Sequence, residues 1–205
     1  VHADSTTAEG LGKGAWLEFA AGSTVQVKVA SSYISAAQAE LNLSRELGAA
    51  KKLEQTQAKA AAVWNASLGK IQVEGGTEDD KATFYSCFFR ASLFSRKFYE
   101  LDEKGQPYYF SPYDGKVHQG YMFTDTGFWD TFRAQFPLNA MLHPEMHGRY
   151  MNAMLDAYDQ CGWLPSWSFP SEAGSMIGNH AISLFADAWV KGIRTFDPER
   201  ALKAY

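Results

Sequence analysis

The spacing of apolar and polar positions along the chain changes once, near residue 35. Before that point, three valines alternate with polar residues across 24–30, which predicts a strand with one apolar face. A second strand is predicted over 15–20, with a turn at Gly22 between the two. Because two strands do not form a stable sheet alone, we expect them to be the last strands of a larger β domain.

After Ser35 the apolar residues recur near helical spacing, about every 3.6 positions. Ser35 is a candidate N-cap with Gln38 at the spacing of a capping box, and no proline interrupts 36–68. This segment is therefore one long helix or two abutting ones, ended by Gly69. Further helical patterns occur at 79–99, 127–142, 145–160, 179–192 and 197–205.

Two long segments rich in glycine, proline and aromatic residues separate these helices, at 100–126 and 162–178. Long loops in compact domains are usually functional, so we expect site residues in them. Asp197 and Pro198 then form a helix start, with barely two turns before the last residue. A chain that starts with unpartnered strands and stops inside a helix is expected to be a piece of a longer, mainly α protein.

Charge and composition exclude several classes of partner and site. With 19 basic and 23 acidic residues the formal net charge is −4, and no polybasic run occurs, so neither nucleic acid nor an anionic membrane surface is an expected partner. No apolar run approaches the ~20 residues of a membrane span, so membrane insertion is not expected. Cys87 and Cys161 are too few for a disulfide framework and lack metal-ligand spacing.

Aromatic residues make up 15% of the chain, which suits either a carbohydrate site or a large aromatic core, and composition by itself favours the core. At the start of one predicted helix, Trp129 precedes Asp130 and Arg133, whose spacing suits a clamp for neighbouring hydroxyls. The alternative for Asp130 and Arg133 is a surface ion pair contributing less than about 1 kcal/mol.

The segment 162–178 contains Glu172, a lone carboxylate among aromatic residues and prolines. Burial there would favour the neutral carboxyl group that a general acid needs, although most glutamates in loops are solvated. His180, at the start of the next helix, is either a site residue or a hydrogen-bonded core histidine. Motifs for zinc hydrolysis, α/β-hydrolase chemistry and phosphate binding do not occur.

Three ordered strings carry a family resemblance: Trp129-Asp130-Thr131-Phe132-Arg133, Gly162-Trp163-Leu164-Pro165 and Met176-Ile177-Gly178-Asn179-His180-Ala181. Together they resemble glycoside hydrolase family 92, whose members are calcium-dependent, inverting exo-α-mannosidases. The resemblance covers roughly 24–205. It implies the end of an N-terminal β-sandwich at 1–30, a helical linker at 31–70, and the first helices of an (α/α)6 toroid at 71–205.

The resemblance also implies roles for particular residues. Glu172 would be the general acid, and the mannose subsite would be lined by Trp129, Asp130, Arg133, Trp163 and His180. No metal ligand is expected within this chain, since the family's general base and most calcium ligands lie in motifs that would follow Tyr205. Calcium is nevertheless the expected cofactor.

The implied function is the removal of terminal α-linked mannose from mannose-containing glycans, in a periplasmic or secreted setting. Two alternatives remain open. The first is a non-catalytic carbohydrate-binding or scaffold remnant that lacks the general base. The second is a toroid glycosidase specific for another sugar.

Overall fold

The computed structural model describes residues 2–4, 14–50 and 52–205. The described chain is mostly helical, so the expected mainly α class is confirmed. No described helix is long and apolar enough to cross a membrane. At the N-terminal end, two short strands pair antiparallel, β1 (His2–Asp4) and β2 (Gly14–Trp16).

The strand predicted over 24–30 is wrong, because the structure has no strand there and the three valines are exposed. Alternating valines form a strand only where a neighbouring strand takes up their backbone hydrogen bonds, and the described residues provide none. The strand predicted over 15–20 is also shorter than expected, since β2 ends at Trp16.

The segment 36–68 forms two helices, α1 (Ala36–Leu47) and α2 (Leu53–Leu68). Ser35 is the N-cap of α1 as predicted, and its hydroxyl oxygen accepts a hydrogen bond from the backbone N–H of Gln38 at 3.1 Å. Gln38 is the single buried residue within the two helices. Gly69 follows α2 as its C-cap, as the sequence predicts.

Six more helices occur in the described chain: α3 (Glu78–Ala91), α4 (Phe128–Thr131), α5 (Gln135–Leu142), α6 (Pro144–Cys161), α7 (Ala181–Val190) and α8 (Pro198–Lys203). The helix predicted over 127–142 is divided into α4 and α5. Pro137 explains the division, because it lacks the N–H needed to continue α4 but fits the first turn of a new helix. The Asp197 cap of α8 is confirmed.

The segment predicted as a loop over 100–126 contains short strands, and the helix predicted over 79–99 ends early, at Ala91. The strands of this region are β3 (Arg96–Lys97), β4 (Glu100–Leu101), β5 (Pro107–Phe110), β6 (Val117–Gln119), β7 (Phe123–Thr124) and β8 (Thr126–Gly127), and β9 (Trp167–Ser168) lies further on. Strands β4, β5 and β6 form one antiparallel sheet, β3 pairs with β7, and β8 pairs with β9. Pairing across the chain therefore overrides the local helical pattern.

The hydrophobic core surrounds α6, which buries eight of its 18 residues. Met151 and Leu155 are fully enclosed at its centre. Phe128 and Phe136 pack edge to face there, and Tyr150 contacts both rings. This core fixes the positions of α4, α5 and α7, with Trp129 and Asp130 in α4 and His180 at the start of α7.

Candidate active site

The site region is organised by a corner in the chain at Asp125. This residue separates β7 from β8, which pair with different strands, β3 and β9. Asp125 adopts a left-handed backbone conformation with φ of 61°. Aspartate is one of the few residues other than glycine that tolerate this region. Immediately after the corner, the chain enters α4 with Trp129 and Asp130.

The pairing of β8 with β9 brings the start of α4 next to the loop 162–178. Gly127 faces Trp167 in this pair. A Cβ atom on Gly127 would lie 2.0 Å from the Trp167 ring, so only glycine allows the indole to lie against the backbone there. Two motifs about 40 positions apart in the sequence are thereby brought together.

An open depression of about 510 Å³ lies where these segments meet. Its polar lining includes Asp130, Asp125, Arg90 and Gln135, and its apolar lining includes Trp167 and Phe94. Asp130 has no hydrogen-bond or ion-pair partner among the residues that the structure describes. Charged acceptors and donors beside an aromatic ring suit a polyhydroxylated ligand.

Arg133 and His180 are brought together outside the lining of this depression. The Arg133 guanidinium carbon lies 4.8 Å from the centre of the Phe132 ring. The His180 imidazole stacks on the same phenyl ring at 4.7 Å with an interplanar angle of 5°. A Cβ on Gly178, where φ is 85°, would lie 2.5 Å from Nε2 of His180, so a glycine is needed for this packing.

The two predicted site tryptophans lie nearer to solvent. Trp129 is 38% exposed and Trp163 is 74% exposed, and neither lines the depression. Trp163 follows Gly162, a left-handed C-cap that ends α6. Asp130, Arg133 and Trp163 therefore do not converge on the depression, which receives Asp130 alone of the three.

Glu172 is half-buried and binds the backbone of its own loop. Its Oε2 accepts hydrogen bonds from the N–H groups of Ser166 at 2.5 Å and Trp167 at 3.3 Å, and its Oε1 accepts one from Gly174 at 2.8 Å. The predicted apolar shield is partial, since Phe169 is 67% exposed. The carboxylate joins the two arms of the loop and is not part of the depression lining.

Sequence reasoning missed several residues of the depression. Trp167 was part of an aromatic loop, but nothing in the sequence distinguished it from Trp163. Asp125 lies at the end of a turn-rich segment, and a carboxylate in that position is the sequence feature that could have identified it as a site residue. Gln135 carries no motif, yet its amide donates to the carbonyls of Ala91 at 2.7 Å and Phe94 at 2.5 Å, which holds the end of α3 against α5.

No group of three or more His, Cys, Asp or Glu side chains in the described part of the chain could hold a metal ion. The two carboxylates of the depression, Asp125 and Asp130, are therefore insufficient for a calcium site by themselves.

Comparison with known proteins places the chain among the glycoside hydrolases. The sequence model described as the glycosyl hydrolase family 92 catalytic domain matches residues 38–205. The chain belongs to glycoside hydrolase family 92, as its motifs predicted. No curated protein sequence matches it significantly.

Solved structures agree with this assignment. The chain is similar to the family GH92 inverting mannosidase BT2199 from Bacteroides thetaiotaomicron VPI-5482, with 50% identity and a TM-score of 0.82 over 84% of this chain. It is similar to the family GH92 α-mannosidase BT3965 from Bacteroides thetaiotaomicron, with 32% identity and a TM-score of 0.74, again over 84% of this chain. The chain spans 23% of the length of each.

Proposed function

We propose that this chain is part of an α-mannosidase that removes terminal mannose from mannose-containing glycans. The observation that carries the proposal is the 50% identity to a family GH92 inverting mannosidase over most of this chain. A second relative, the α-mannosidase BT3965, has a structure in complex with mannoimidazole. Because the chain spans only 23% of these proteins, the activity is proposed for the longer protein.

Asp130 is proposed to bind the sugar directly. Its carboxylate lines the depression without a partner among the described residues, so it can accept hydrogen bonds from sugar hydroxyls. Trp129, Arg133, Trp163 and His180 are proposed as substrate contacts around this point. Trp129 lies in α4, Arg133 follows it closely, and the His180 ring stacks on Phe132. Trp163 is supported by its exposed ring, in the loop that leads to β9.

Glu172 is proposed as the general acid, with one condition that its contacts impose. Both of its oxygens accept backbone hydrogen bonds, so one oxygen must be released before it can protonate a leaving group. Glu172→Gln should then lower kcat by about 10²–10⁴-fold on substrates with poor leaving groups, and by much less on an activated aryl mannoside. Equal losses on both, with a lower Tm, would instead assign Glu172 to holding the loop.

An inverting mechanism is proposed by analogy with BT2199. It would use a second carboxylate roughly 6.5–9.5 Å from the acid to activate water. A periplasmic or secreted setting is proposed as the location of the protein. Calcium is proposed as the cofactor, but the described residues do not form a calcium site by themselves. Chelation followed by calcium addition tests the cofactor, with expected loss and return of hydrolysis.

The decisive experiment is a hydrolysis panel of aryl α-glycosides with the full-length protein. We expect cleavage of the α-mannoside, with β-mannose as the first product seen by NMR, and little cleavage of the α-glucoside. Asp130→Asn should lower kcat/KM, while Asp79→Asn, an exposed residue of α3, serves as the charge-matched control. Binding of mannosides without hydrolysis would support the carbohydrate-binding alternative, and preference for the glucoside would support a glycosidase for another sugar.

A further inference from the structure

A second carboxylate, that of Asp125, faces the same depression as Asp130. Its side chain is only 8% exposed, and its Oδ2 lies 2.8 Å from the Arg96 guanidinium. Arg96 lies on β3, directly across from Thr124 on β7, so the antiparallel pair places the guanidinium beside the corner. The ion pair thus fixes the direction of the carboxylate.

The other oxygen of Asp125 has only a weak hydrogen-bond donor. Its nearest donor is the hydroxyl of Thr124, whose Oγ1 lies 3.4 Å from Oδ1. That hydroxyl already donates to the carbonyl of Pro170 at 2.8 Å, and it has one proton to give. Among the described residues Oδ1 therefore has only this long, shared hydrogen bond, although the side chain is more than nine-tenths buried.

The left-handed backbone alone does not explain the choice of aspartate at the corner, and the ion pair with Arg96 uses only one of the two carboxylate oxygens. Glycine and asparagine adopt the left-handed conformation as readily, and neither would place a negative charge beside the depression. A buried, oriented carboxylate with one weakly hydrogen-bonded oxygen is costly to keep unless a ligand donates to that oxygen.

We propose that Asp125 is a further substrate-binding residue, whose Oδ1 accepts a hydrogen bond from a hydroxyl of the sugar in the depression while Arg96 holds Oδ2. This inference rests on the proposed function, since it takes the depression to be the sugar subsite. With Asp125 and Asp130 both lining it, the depression offers two acceptors that contact neighbouring hydroxyls of one ring.

The test compares Asp125→Asn and Asp125→Gly in the full-length protein, with Asp79→Asn as control. Asparagine and glycine both tolerate the left-handed backbone at residue 125, so both variants are expected to fold. The Tm of each variant measures any loss of stability independently of its sugar affinity. We expect kcat/KM for an aryl α-mannoside and affinity for mannoimidazole to fall roughly 10- to 100-fold, more for glycine than for asparagine. Arg96→Gln should cause a smaller loss, because Arg96 acts through Asp125.

The outcomes separate this inference from the proposed function. A wild-type protein that cleaves and binds mannosides, with Asp125→Asn and Asp125→Gly indistinguishable from it, overturns the inference and leaves the function intact. The inference is also overturned if affinity falls only in the variant whose Tm falls, and stays at the wild-type value in the variant that folds normally. A wild-type protein that binds no sugar of the panel overturns both.

Discussion

Helices α2 and α6 have similar lengths but opposite environments. None of the 16 residues of α2 is buried, whereas α6 buries eight of 18. Two large apolar residues of α2 are well exposed, Leu53 at 72% and Val63 at 64%. The comparison shows that a helix can form without burying any of its residues, and that packing decides how much each side chain contributes to stability.

Helix α1 and the residues just before it are hydrogen-bonded to the β4–β5 pair. The Gln38 amide donates to the carbonyl of Leu101 at 2.8 Å and accepts from the Tyr108 hydroxyl at 2.5 Å. Glu100 accepts from the Ser32 hydroxyl and the Asn42 amide. Hydrogen bonds of this kind orient α1 against the β4–β5 pair, but each contributes only about 1 kcal/mol.

The largest expected effect contrasts one buried and one exposed leucine. Leu155→Ala, at a fully buried position, should lower the free energy of unfolding by about 2–5 kcal/mol, because it leaves a cavity around α6. Leu53→Ala should change it by less than about 0.5 kcal/mol. Urea denaturation followed by circular dichroism measures both. A large loss at Leu53 would show that another surface of the longer protein covers α2.

A second prediction concerns a buried histidine of α6. Burial lowers the pKa of His147 from its ordinary 6.5 to about 4, and its Nε2 has no hydrogen-bond partner among the described atoms. The unfolded chain therefore binds the proton more readily between these two values, so stability falls as the pH decreases through this window. Between pH 7 and pH 5 the loss should be about 2 kcal/mol.

Urea titrations at the two pH values, with His147→Phe as the comparison, isolate this contribution. The variant should lose less stability on acidification than the wild type, since phenylalanine cannot be protonated. An identical pH dependence in both proteins would show that the burial of His147 does not limit folding. The N-terminal helices contain no buried histidine, so their local protection from hydrogen exchange should not follow this titration.

The smallest expected effect tests whether α1 depends on its cap. Ser35→Ala removes the acceptor for the backbone N–H of Gln38 and should cost about 1 kcal/mol, seen as faster hydrogen exchange in the first turn of α1. Ser44→Ala, at an exposed interior position of the same helix, is the matched control and should be neutral or slightly stabilising. Equal exchange rates in both variants would mean that the Gln38 and Glu100 contacts hold α1 without the cap.

Much of the helical framework and the family were predictable from the sequence, because caps, prolines and apolar periodicity act locally. Ser35 and Asp197 cap helices as predicted, and the motif strings identified family 92. The pattern at 24–30 failed for a related reason. A strand requires a neighbouring strand as its hydrogen-bonding partner. The alternation of valines indicates only that one face of the segment is apolar.

The sequence by itself determined where α1 and α8 begin, which residues carry charge, and to which family the chain belongs. Only the tertiary structure decided that Trp167, and not Trp163, lines the depression, since that depends on the pairing of β8 with β9 across 40 positions. It also decided that Asp125 turns the corner and faces the depression beside Asp130. Such placements arise from pairing and packing between distant segments, so the local conformational preferences of the residues do not predict them.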